Sequence, residues 1–411
     1  MDYIWNIESI YAFSITLNII PQVMENLFTK IIAKNNLIIS AKHIKQNSCK
    51  ATGIDDISNK DALNYLLESM TDIVYALEGD KYIPAPIKRS KILKSNGDVR
   101  YISIPTVLDK IIQQAILQVL SPIYEEMFSP YSFGFRPNRN IHQAIAQVKE
   151  HFMDGYIYVI EIDLSNFFDT INHDRLMSEL YKTIKDKQVL RLIRLYLRSD
   201  IIYHGKTVPR DYNKGTIQGG NLSPLLANIY LHQLDMELSR RGLRFIRYAD
   251  DVTILCNSLS SAQMIKENVC KYIENKLLLK VNQAKTGVLL ATDCKILGFK
   301  FYKEQNQYKS YVPNKSVLKL KEKIHSKICE ADTFIEAKLK VQQELTGWYN
   351  FYGKADRFIS MRTMRKLDRT ILEWMYKRFS VNQNFLTFKE HLRQDRYKLS
   401  ITELLKMSDS K

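Results

Sequence analysis

Cysteine is scarce in this sequence, and long hydrophobic runs are missing. The five cysteines among the 411 residues are scattered, with no CxxC pair. Zinc sites and disulfide frameworks need closely spaced cysteines, so the sequence predicts neither and favours a reducing compartment such as the cytoplasm. The uncharged segment 9–24 is too short to span a bilayer, is interrupted by Asn18, Pro21 and Gln22, and has no basic region before it. We therefore expect no membrane association and interpret this segment as part of a helical arm.

Acidic residues are outnumbered by basic ones, most strongly near the carboxyl terminus. The formal net charge is +16, and residues 311–411 contain 21 Lys and Arg against 12 Asp and Glu. Aromatic residues are interleaved with this charge between Trp348 and Tyr376. The pattern suits a polyanionic partner such as a nucleic acid, although a merely solvated basic surface has the same composition. With 45% hydrophobic residues, the chain can form two or three packed subdomains.

Hydrophobic periodicity identifies one helix clearly. Apolar residues recur at helical spacing from about Val107 to Met127, which predicts an amphipathic helix whose apolar stripe packs in the core. Pro122 lies near its end, a position where proline can kink a helix. Helix and strand patterns are mixed up to about residue 300 and mostly helical beyond Lys315, so we place a domain boundary near residues 305–315.

Two adjacent carboxylates, Asp250 and Asp251, lie between two apolar runs rich in β-branched residues. This pattern predicts a hairpin with the acids at its turn. Two like charges at one turn are unfavourable because each raises the cost of ionising the other. A divalent cation reverses that effect, since Mg²⁺ binds one or two carboxylates and leaves room for substrate phosphates. A solvated Asp-Asp turn is the alternative.

A third carboxylate, Asp163, ends the apolar run that begins at Tyr156 and predicts a buried strand. An acid at the end of a buried strand is costly unless it is paired or bound to metal. Placed beside the hairpin, Asp163, Asp250 and Asp251 could hold two Mg²⁺ ions roughly 4 Å apart, an arrangement that stabilises both the attacking and the leaving oxygen in phosphoryl transfer. The spacing alone leaves open whether the three acids meet.

Further sequence blocks surround these acids in a fixed order. Residues 94–100, 104–109 and 131–139 precede Asp163, residues 215–230 lie between Asp163 and the hairpin, and residues 279–285, 297–299 and 347–352 follow. In this order, with Tyr-Ala-Asp-Asp at residues 248–251, the sequence resembles a reverse transcriptase of the group II intron type. Residues 381–411 lack the His, Asn and Cys constellation of the nuclease domain that some members carry, so the resemblance is to the compact form without an endonuclease domain.

This resemblance implies both a fold and a reaction. The implied fold is α+β: a right-hand polymerase with fingers and palm, followed by a mostly helical thumb or maturase domain. The expected segments are a helical arm (1–50), the fingers and palm (51–310), the thumb (311–380) and a short basic tail (381–411). The implied reaction is RNA-directed DNA synthesis, in which a primer 3′-OH attacks the α-phosphate of a dNTP and pyrophosphate leaves. Two Mg²⁺ ions, for which Mn²⁺ can substitute, are the implied cofactors.

The resemblance also assigns roles to individual residues. The metal ions are assigned to Asp163, Leu164, Asp250 and Asp251, among which the three acids are catalytic. Contacts to the incoming dNTP are assigned to Lys94, Arg100, Phe168, Gln218, Gly219 and Lys285. Contacts to nucleic acid are assigned to Arg136, Arg139, Trp348, Arg362, Arg365, Lys366 and Arg369.

The chemistry of several of these residues agrees with the assigned roles. Lys94 and Arg100 flank a strong turn signal, so two cations on one fingertip hairpin could neutralise a triphosphate. Residues 215–220 contain three glycines, which allow the backbone to approach a base or sugar closely. Phe168 follows Asp163 by five residues, where the family has an aromatic ring that clashes with a ribose 2′-hydroxyl. Solvated cations, a turn without a ligand and a core phenylalanine are the respective alternatives.

Several biological roles are compatible with the sequence. The implied partners are an RNA template, a DNA or RNA primer, dNTPs and, for a maturase, group II intron RNA. One alternative is a non-catalytic maturase that holds intron RNA in a shape competent for splicing. The other is a domesticated reverse transcriptase that serves phage defence, DNA repair or spacer acquisition. Intron RNA domains around the coding region would favour a role in the intron.

Overall fold

The structure is a computed structural model that describes residues 26–47, 51–93 and 99–379. Contacts between residues divide the chain into two compact units. The first combines the chain up to Asn140 with Ile160–Ile254 and Gln263–Gly287. The second combines Ile141–Val159, Leu255–Ala262 and the chain from Val288 onward. Each unit is therefore assembled from separate stretches of sequence.

Helices and strands are mixed along the described residues. The helices are α1 (Leu27–Ile32), α2 (Lys34–Gln46), α3 (Ala62–Glu78), α4 (Val107–Glu125), α5 (Ile141–Met153), α6 (Phe167–Thr170), α7 (His173–Thr183), α8 (Lys187–Leu197), α9 (Ser223–Arg240), α10 (Leu259–Asn275), α11 (Asn314–Cys329), α12 (Phe334–Tyr352) and α13 (Met361–Phe379). The strands are β1 (Ile87–Leu93), β2 (Val99–Ile104), β3 (Tyr158–Ile162), β4 (Ile201–Tyr203), β5 (Lys206–Thr207), β6 (Arg244–Tyr248), β7 (Asp251–Cys256), β8 (Gly287–Leu290), β9 (Lys295–Ile296), β10 (Phe299–Glu304) and β11 (Gln307–Tyr311). The predicted α+β class is confirmed.

Helix α4 is the amphipathic helix predicted from periodicity. Thr106 caps its amino terminus, because the Thr106 Oγ1 accepts a hydrogen bond from the Asp109 amide at 3.2 Å. Ile112 and Ile116 are fully buried, which confirms that the apolar stripe faces the core. Pro122 lies inside the last turn of the helix.

A four-stranded sheet in the order β2–β1–β4–β5 forms one part of the first unit. Strands β1 and β2 are antiparallel, with Lys91 opposite Tyr101, as expected for a fingertip hairpin. The predicted turn between them, residues 94–98, lies outside the described residues. Strand β4 pairs in parallel with β1, with Ile87 opposite Ile201, and so joins distant parts of the chain in one sheet.

A second four-stranded sheet, in the order β6–β7–β3–β8, carries the acidic residues. Val159 and Ile160 of β3 and Phe245 and Ile246 of β6 have no exposed surface. The buried strand predicted before Asp163 is therefore confirmed. The acids lie at strand ends, where the apolar pattern stops.

The second unit contains α5, a three-stranded sheet in the order β11–β10–β9 and the helices α11–α13. Phe152 of α5 packs edge-on against Phe301 of β10, with ring centroids 5.2 Å apart. Ile324, Val341 and Ile371, one from each of the three helices, are fully buried. The chain after β11 is thus helical as far as Phe379, as the pattern predicted.

The predicted division into four segments stays a prediction. Strands β9–β11 share a compact unit with α11–α13, whereas the sequence placed the boundary after these strands. The uncharged segment 9–24 and the tail 381–411 lie outside the described residues. In the part of the chain that is described, no helix combines the length and the apolar character needed to cross a membrane.

Candidate active site

The Asp250–Asp251 pair lies at the turn of a hairpin, as the sequence predicted. Strand β6 ends at Tyr248 and β7 begins at Asp251, and the two strands are neighbours in the sheet. Ala249, between them, has a positive φ of 57°, which lets the chain reverse within two residues. The hairpin therefore presents two consecutive carboxylates at one end of the sheet.

Asp163 lies immediately after β3 and is held in place by the predicted block 279–285. The Asn282 amide donates to the Asp163 carbonyl at 2.8 Å, and the Asn282 side-chain Nδ2 donates to Asp163 Oδ2 at 2.8 Å. The Lys285 ammonium lies 3.6 Å from the same Oδ2. The Thr286 hydroxyl accepts a hydrogen bond from the Asp163 amide at 3.2 Å. One carboxylate oxygen of Asp163 is thus fixed by an amide and a cation.

The structure brings the three acids close enough to interact electrostatically. Partial desolvation of its carboxyl group, together with the charges of Asp250 and Asp163, raises the pKa of Asp251 to about 6, and the charge of Lys285 offsets part of this rise. Carboxylates that disfavour one another's ionisation are stabilised by a bound cation. The sequence could show only that such a cluster was possible.

The donor set fits Mg²⁺ better than a metal that needs a closed protein cage. Among the described residues, no three His, Cys, Asp or Glu side chains form a group that could by itself hold a metal ion. Asp163 and Asp250 instead face an open cavity and offer hard oxygen donors. Mg²⁺ keeps several water ligands and binds one or two carboxylates together with substrate phosphates, which matches an open acidic site.

Asp163 and Asp250, but not Asp251, border a cavity of about 960 Å³ in the first unit. Six of the residues predicted to bind metal or dNTP line it: Asp163, Leu164, Phe168, Gln218, Asp250 and Lys285. Four cations also line it: Arg89, Arg210, Lys214 and Lys285. A cavity with acids at one place and several cations around it can accommodate a metal-bound polyphosphate.

Phe168 faces this cavity, whereas its neighbour Phe167 belongs to the core. Phe167 is 2% exposed, and Phe168 is half-buried. The Phe168 ring packs edge-on against Phe135, with centroids 6.5 Å apart, and against Phe167 at 5.3 Å. The separate roles predicted for the two rings agree with these positions.

The glycine-rich loop packs tightly against strand β2. The Ser103 amide donates to the Gln218 carbonyl at 2.8 Å. Gly219 has a φ of 115°, and a Cβ there would lie 2.3 Å from the Ser103 carbonyl oxygen. Only glycine fits this position, so the loop, with Gln218 facing the cavity, is fixed against the fingertip sheet.

Three of the cations in the cavity were not predicted from the sequence. Arg89 comes from β1, and Arg210 and Lys214 come from the segment between β5 and α9. The Arg210 guanidinium donates to the carbonyls of Leu197 at 2.8 Å and Ser199 at 2.9 Å, which fixes its position. No local motif marks these residues, because they come together only through the pairing of β1 with β4, two strands that are far apart in sequence.

The fingertip cations predicted to contact the triphosphate are only partly described. Lys94 lies outside the described residues. Arg100 belongs to β2, where its backbone pairs opposite Ile92. Their roles stay predictions.

Arg136 and Arg139, predicted to contact nucleic acid, both bond within the first unit. The Arg136 guanidinium is buried and forms an ion pair with Glu125 at 2.7 Å, and it also donates to the carbonyls of Ser129 and Ser132. Arg139 donates to the Pro130 carbonyl at 3.2 Å but remains partly exposed. Arg139 is therefore better placed than Arg136 to reach a polyanion.

The remaining predicted contacts to nucleic acid lie in the second unit. Trp348 is half-buried, with its ring 4.9 Å from that of Tyr352 and 5.5 Å from that of Phe358. The cations of α13 form what we call the basic face, which consists of Arg362, Arg365, Lys366 and Arg369. All four are exposed, while Met364 and Leu367 of the same helix are buried. The prediction that most of these cations share one side of a helix agrees with this burial pattern.

We expect Asp251→Asn to stabilise the metal-free protein at alkaline pH. Because the folded-state pKa is raised from 3.8 to about 6, ionisation of Asp251 opposes folding fully above that value and progressively less below it. Asp251 still reaches solvent, which screens part of the repulsion, so the expected rise in Tm at about pH 8 with EDTA is roughly 2 °C. The gain should shrink at about pH 5. Asp72→Asn, which changes an exposed acid in the middle of α3, should leave Tm unchanged at both pH values. Equal Tm values for wild type and Asp251→Asn at about pH 8 would contradict the electrostatic coupling.

Comparison with known proteins relates this site to a family. Residues 92–301 match the family described as reverse transcriptase (RNA-dependent DNA polymerase). The group II intron-encoded protein LtrA of Lactococcus lactis subsp. cremoris is 27% identical over 415 residues, which cover 82% of this chain and 67% of that protein. Protein YkfC of Escherichia coli K12 is 31% identical over 330 residues, which cover 70% of this chain and 86% of that protein.

Among solved structures, a chain of a partial Cas6-RT-Cas1–Cas2 complex is similar with a TM-score of 0.39 and 24% sequence identity. The match covers 60% of this chain and 42% of that chain. The family match extends over half of the present sequence and includes the acids, the glycine-rich loop and the 279–285 block. This chain is therefore a member of the reverse transcriptase family.

Proposed function

We propose that this protein is an RNA-directed DNA polymerase that extends a primer on an RNA template. The observation that carries this proposal is the electrostatic coupling of Asp251 to Asp250 and Asp163, beside a cavity that Asp163 and Asp250 line together with Phe168 and several cations. Neither a solvated turn nor a simple RNA-binding surface requires like charges to be held together in this way. The relatives encoded by group II introns agree with it.

Asp163, Asp250 and Asp251, together with oxygens of the bound triphosphate, would hold two Mg²⁺ ions, which Mn²⁺ can replace. When bound, these ions supply charge neutralisation at the attacking and leaving oxygens of the transferred phosphoryl group. Asn282 and Lys285 fix one oxygen of Asp163, which leaves its other oxygen for a ligand. The carboxylates themselves do not act as nucleophiles, since the attacking group is the primer 3′-OH.

The other residues of the cavity bind and orient the substrates. Arg89, Arg210 and Lys214 supply positive charge for a triphosphate, because the three carboxylates already balance most of the charge of two metal ions. Gln218 is positioned by the backbone bond to Ser103 and would contact the nascent base pair. Phe168 would lie under the sugar. Positioning of this kind converts the encounter of primer and dNTP into a step within one complex.

Primer extension tests the polymerase function directly. The purified protein is incubated with an RNA template annealed to a DNA primer, dNTPs and Mg²⁺, and products are resolved by length. We expect extension to the template end, and no extension when Mg²⁺ is chelated. Absence of extension on RNA templates with both DNA and RNA primers, with the protein folded, would overturn the proposal.

We propose that the basic face of α13 lies on the phosphate backbone of RNA. Changing Arg362, Arg365 and Arg369 together to Gln should weaken RNA binding and reduce the salt slope by about 0.7 to 0.9 for each lost phosphate contact. Processivity should fall, while addition of one nucleotide at saturating primer-template should be largely retained. The measurement is a filter-binding titration at several salt concentrations.

A matched control for the basic face is available on another helix. Lys266 and Lys271 of α10 and Lys276 just after it are at least partly exposed, so their change to Gln removes the same charge elsewhere. Circular dichroism should confirm the fold of both triple variants. If the α13 variant retains the affinity and salt slope of the wild type, the basic face is only solvated.

We further propose group II intron RNA as a partner, on the basis of the basic face and the intron-encoded relatives. The relatives with matching sequence include the protein called nuclear intron maturase 2 of Arabidopsis thaliana, which is 28% identical over 34% of this chain. Binding to an intron RNA should exceed binding to an unrelated RNA of equal length. A splicing reaction with Asp250→Ala protein separates the two functions, because a maturase role does not require the acids.

A further inference from the structure

Arg247 is a charged residue with no solvent exposure at the centre of the first unit. It belongs to β6, and its guanidinium forms a bidentate ion pair with Asp235 of α9. The Nη2 atom lies 2.6 Å from Asp235 Oδ2, and the Nε atom lies 2.7 Å from Oδ1. Both side chains are 0% exposed. A buried charge of this kind needs hydrogen-bond partners, and each of the three guanidinium nitrogens of Arg247 donates at least one hydrogen bond.

The third nitrogen of Arg247 reaches the turn that carries the acids. Its Nη1 donates to the Ala249 carbonyl at 2.9 Å and to Asn228 Oδ1 at 2.8 Å. Ala249 is the residue with positive φ that precedes Asp250. The ion pair is therefore connected to the backbone of the turn as well as to the core.

A second contact fixes the same turn from the other side. The Asn228 Nδ2 donates to the Gly134 carbonyl at 2.9 Å. A Cβ at Gly134 would lie only 2.2 Å from the Ala249 nitrogen, so the backbone of Gly134 is packed directly on the turn. Asn228, which is 1% exposed, thus links Arg247 to the segment that covers the turn.

The fold alone does not explain a buried ion pair at this place. Apolar residues of similar volume commonly replace such pairs with equal or greater stability. An apolar side chain cannot, however, donate a hydrogen bond to the Ala249 carbonyl. That bond holds a left-handed, non-glycine residue, a conformation that persists only where its surroundings define it.

We propose that Arg247 is a positioning residue for the acidic turn, an inference that rests on the proposed polymerase function. Held by Asp235 and Asn228, Arg247 fixes the Ala249 carbonyl and thereby the direction in which Asp250 and Asp251 present their carboxylates to metal. The residue touches no substrate. Its effect is on the affinity and geometry of the metal site.

The test replaces the ion pair by apolar residues, which separates positioning from stability. The double variant Arg247→Met/Asp235→Leu should fold with a moderately lowered Tm, because loss of the ion pair is nearly neutral but the Ala249 carbonyl and Asn228 Oδ1 lose a donor. It should bind Mn²⁺, measured by electron paramagnetic resonance titration of the free ion, about 10-fold more weakly, and its kcat in primer extension should fall about 10- to 100-fold. The Mg²⁺ concentration for half-maximal extension should rise in parallel.

Two single variants complete the test. Asn228→Ala leaves the ion pair in place but removes its links to Gly134 and Arg247, so we expect a smaller shift in the same direction. If the double variant does not fold, Asn228→Ala alone tests the positioning role. Leu238→Ala, on the same helix and fully buried, removes only apolar packing and should lower Tm without changing the Mn²⁺ affinity.

The outcomes distinguish this inference from the proposed function. A wild-type protein that binds Mn²⁺ but extends no primer would overturn the polymerase function, while the variants still test the turn through Mn²⁺ affinity. Unchanged Mn²⁺ affinity in the folded double variant, or in Asn228→Ala, would overturn the positioning role. The positioning role would also be overturned if Leu238→Ala weakened Mn²⁺ binding as much as the double variant does.

Discussion

Asp250→Ala is expected to reduce primer extension by at least about a thousand-fold, because a metal ligand contributes several kcal/mol to transition-state stabilisation and each 1.36 kcal/mol is about tenfold in rate. Asp250 lies in the turn, faces the cavity and contributes to the raised pKa of Asp251. Its loss removes one oxygen donor from the set that would hold metal. The measurement is single-turnover addition of one dNTP to a primer on an RNA template.

RNA affinity and fold serve as controls for this variant. Template binding should be unchanged, since Asp250 is acidic and does not attract phosphate, and the metal-free Tm should be equal or higher because a repelling charge is removed. Asp174→Ala applies the same change to an exposed acid of α7 and should polymerise normally. Retained extension by folded Asp250→Ala protein would show that the acids have another role.

Phe168→Ala is expected to lower the preference for dNTPs over rNTPs by about 10- to 100-fold, the range that a single steric contact in an apolar pocket usually provides. The Phe168 ring lines the cavity and packs edge-on against Phe135. This contact limits its movement away from a 2′-hydroxyl. Incorporation of rNTPs should therefore rise more than that of dNTPs falls. The measurement is the ratio of kcat/KM for dNTP to that for rNTP in both proteins.

Phe167→Ala is the matched control for this substitution. The two residues are adjacent and chemically identical, but Phe167 is buried in the core. Its truncation should cost about 3 to 5 kcal/mol of stability and leave the selectivity ratio unaltered. An unchanged ratio in Phe168→Ala would mean that this ring, too, serves only in packing.

Local patterns were sufficient to predict the elements that carry the acids. Two apolar runs rich in β-branched residues predicted the hairpin around Asp250, and another apolar run predicted the strand before Asp163. Helix α4 followed from its 3.6-residue period. In each case the information lies within about 20 residues of sequence, which is the range over which periodicity acts.

Contacts between distant residues could not be predicted in the same way. Arg89 and Arg210 reach one cavity because β1 pairs with β4, a pairing that no local pattern encodes. Arg136, which the resemblance assigned to nucleic acid, forms an ion pair with Glu125 inside the protein, a contact that no local pattern encodes. Arg247, next to the most recognisable motif, gave no sign that its charge would be buried.

The construction of each compact unit from separate stretches has a consequence for biosynthesis. Because the second unit needs Ile141–Val159 and Leu255–Ala262 together with the chain after Val288, it cannot be completed until the ribosome has synthesised its helices. The segments of each unit that are synthesised first therefore remain partly folded, with apolar surface exposed, until the rest of the unit has been made. During this time aggregation competes with folding. A cut near residue 311 divides the second unit, so residues 311–411 expressed alone should yield insoluble material unless the missing stretches are supplied.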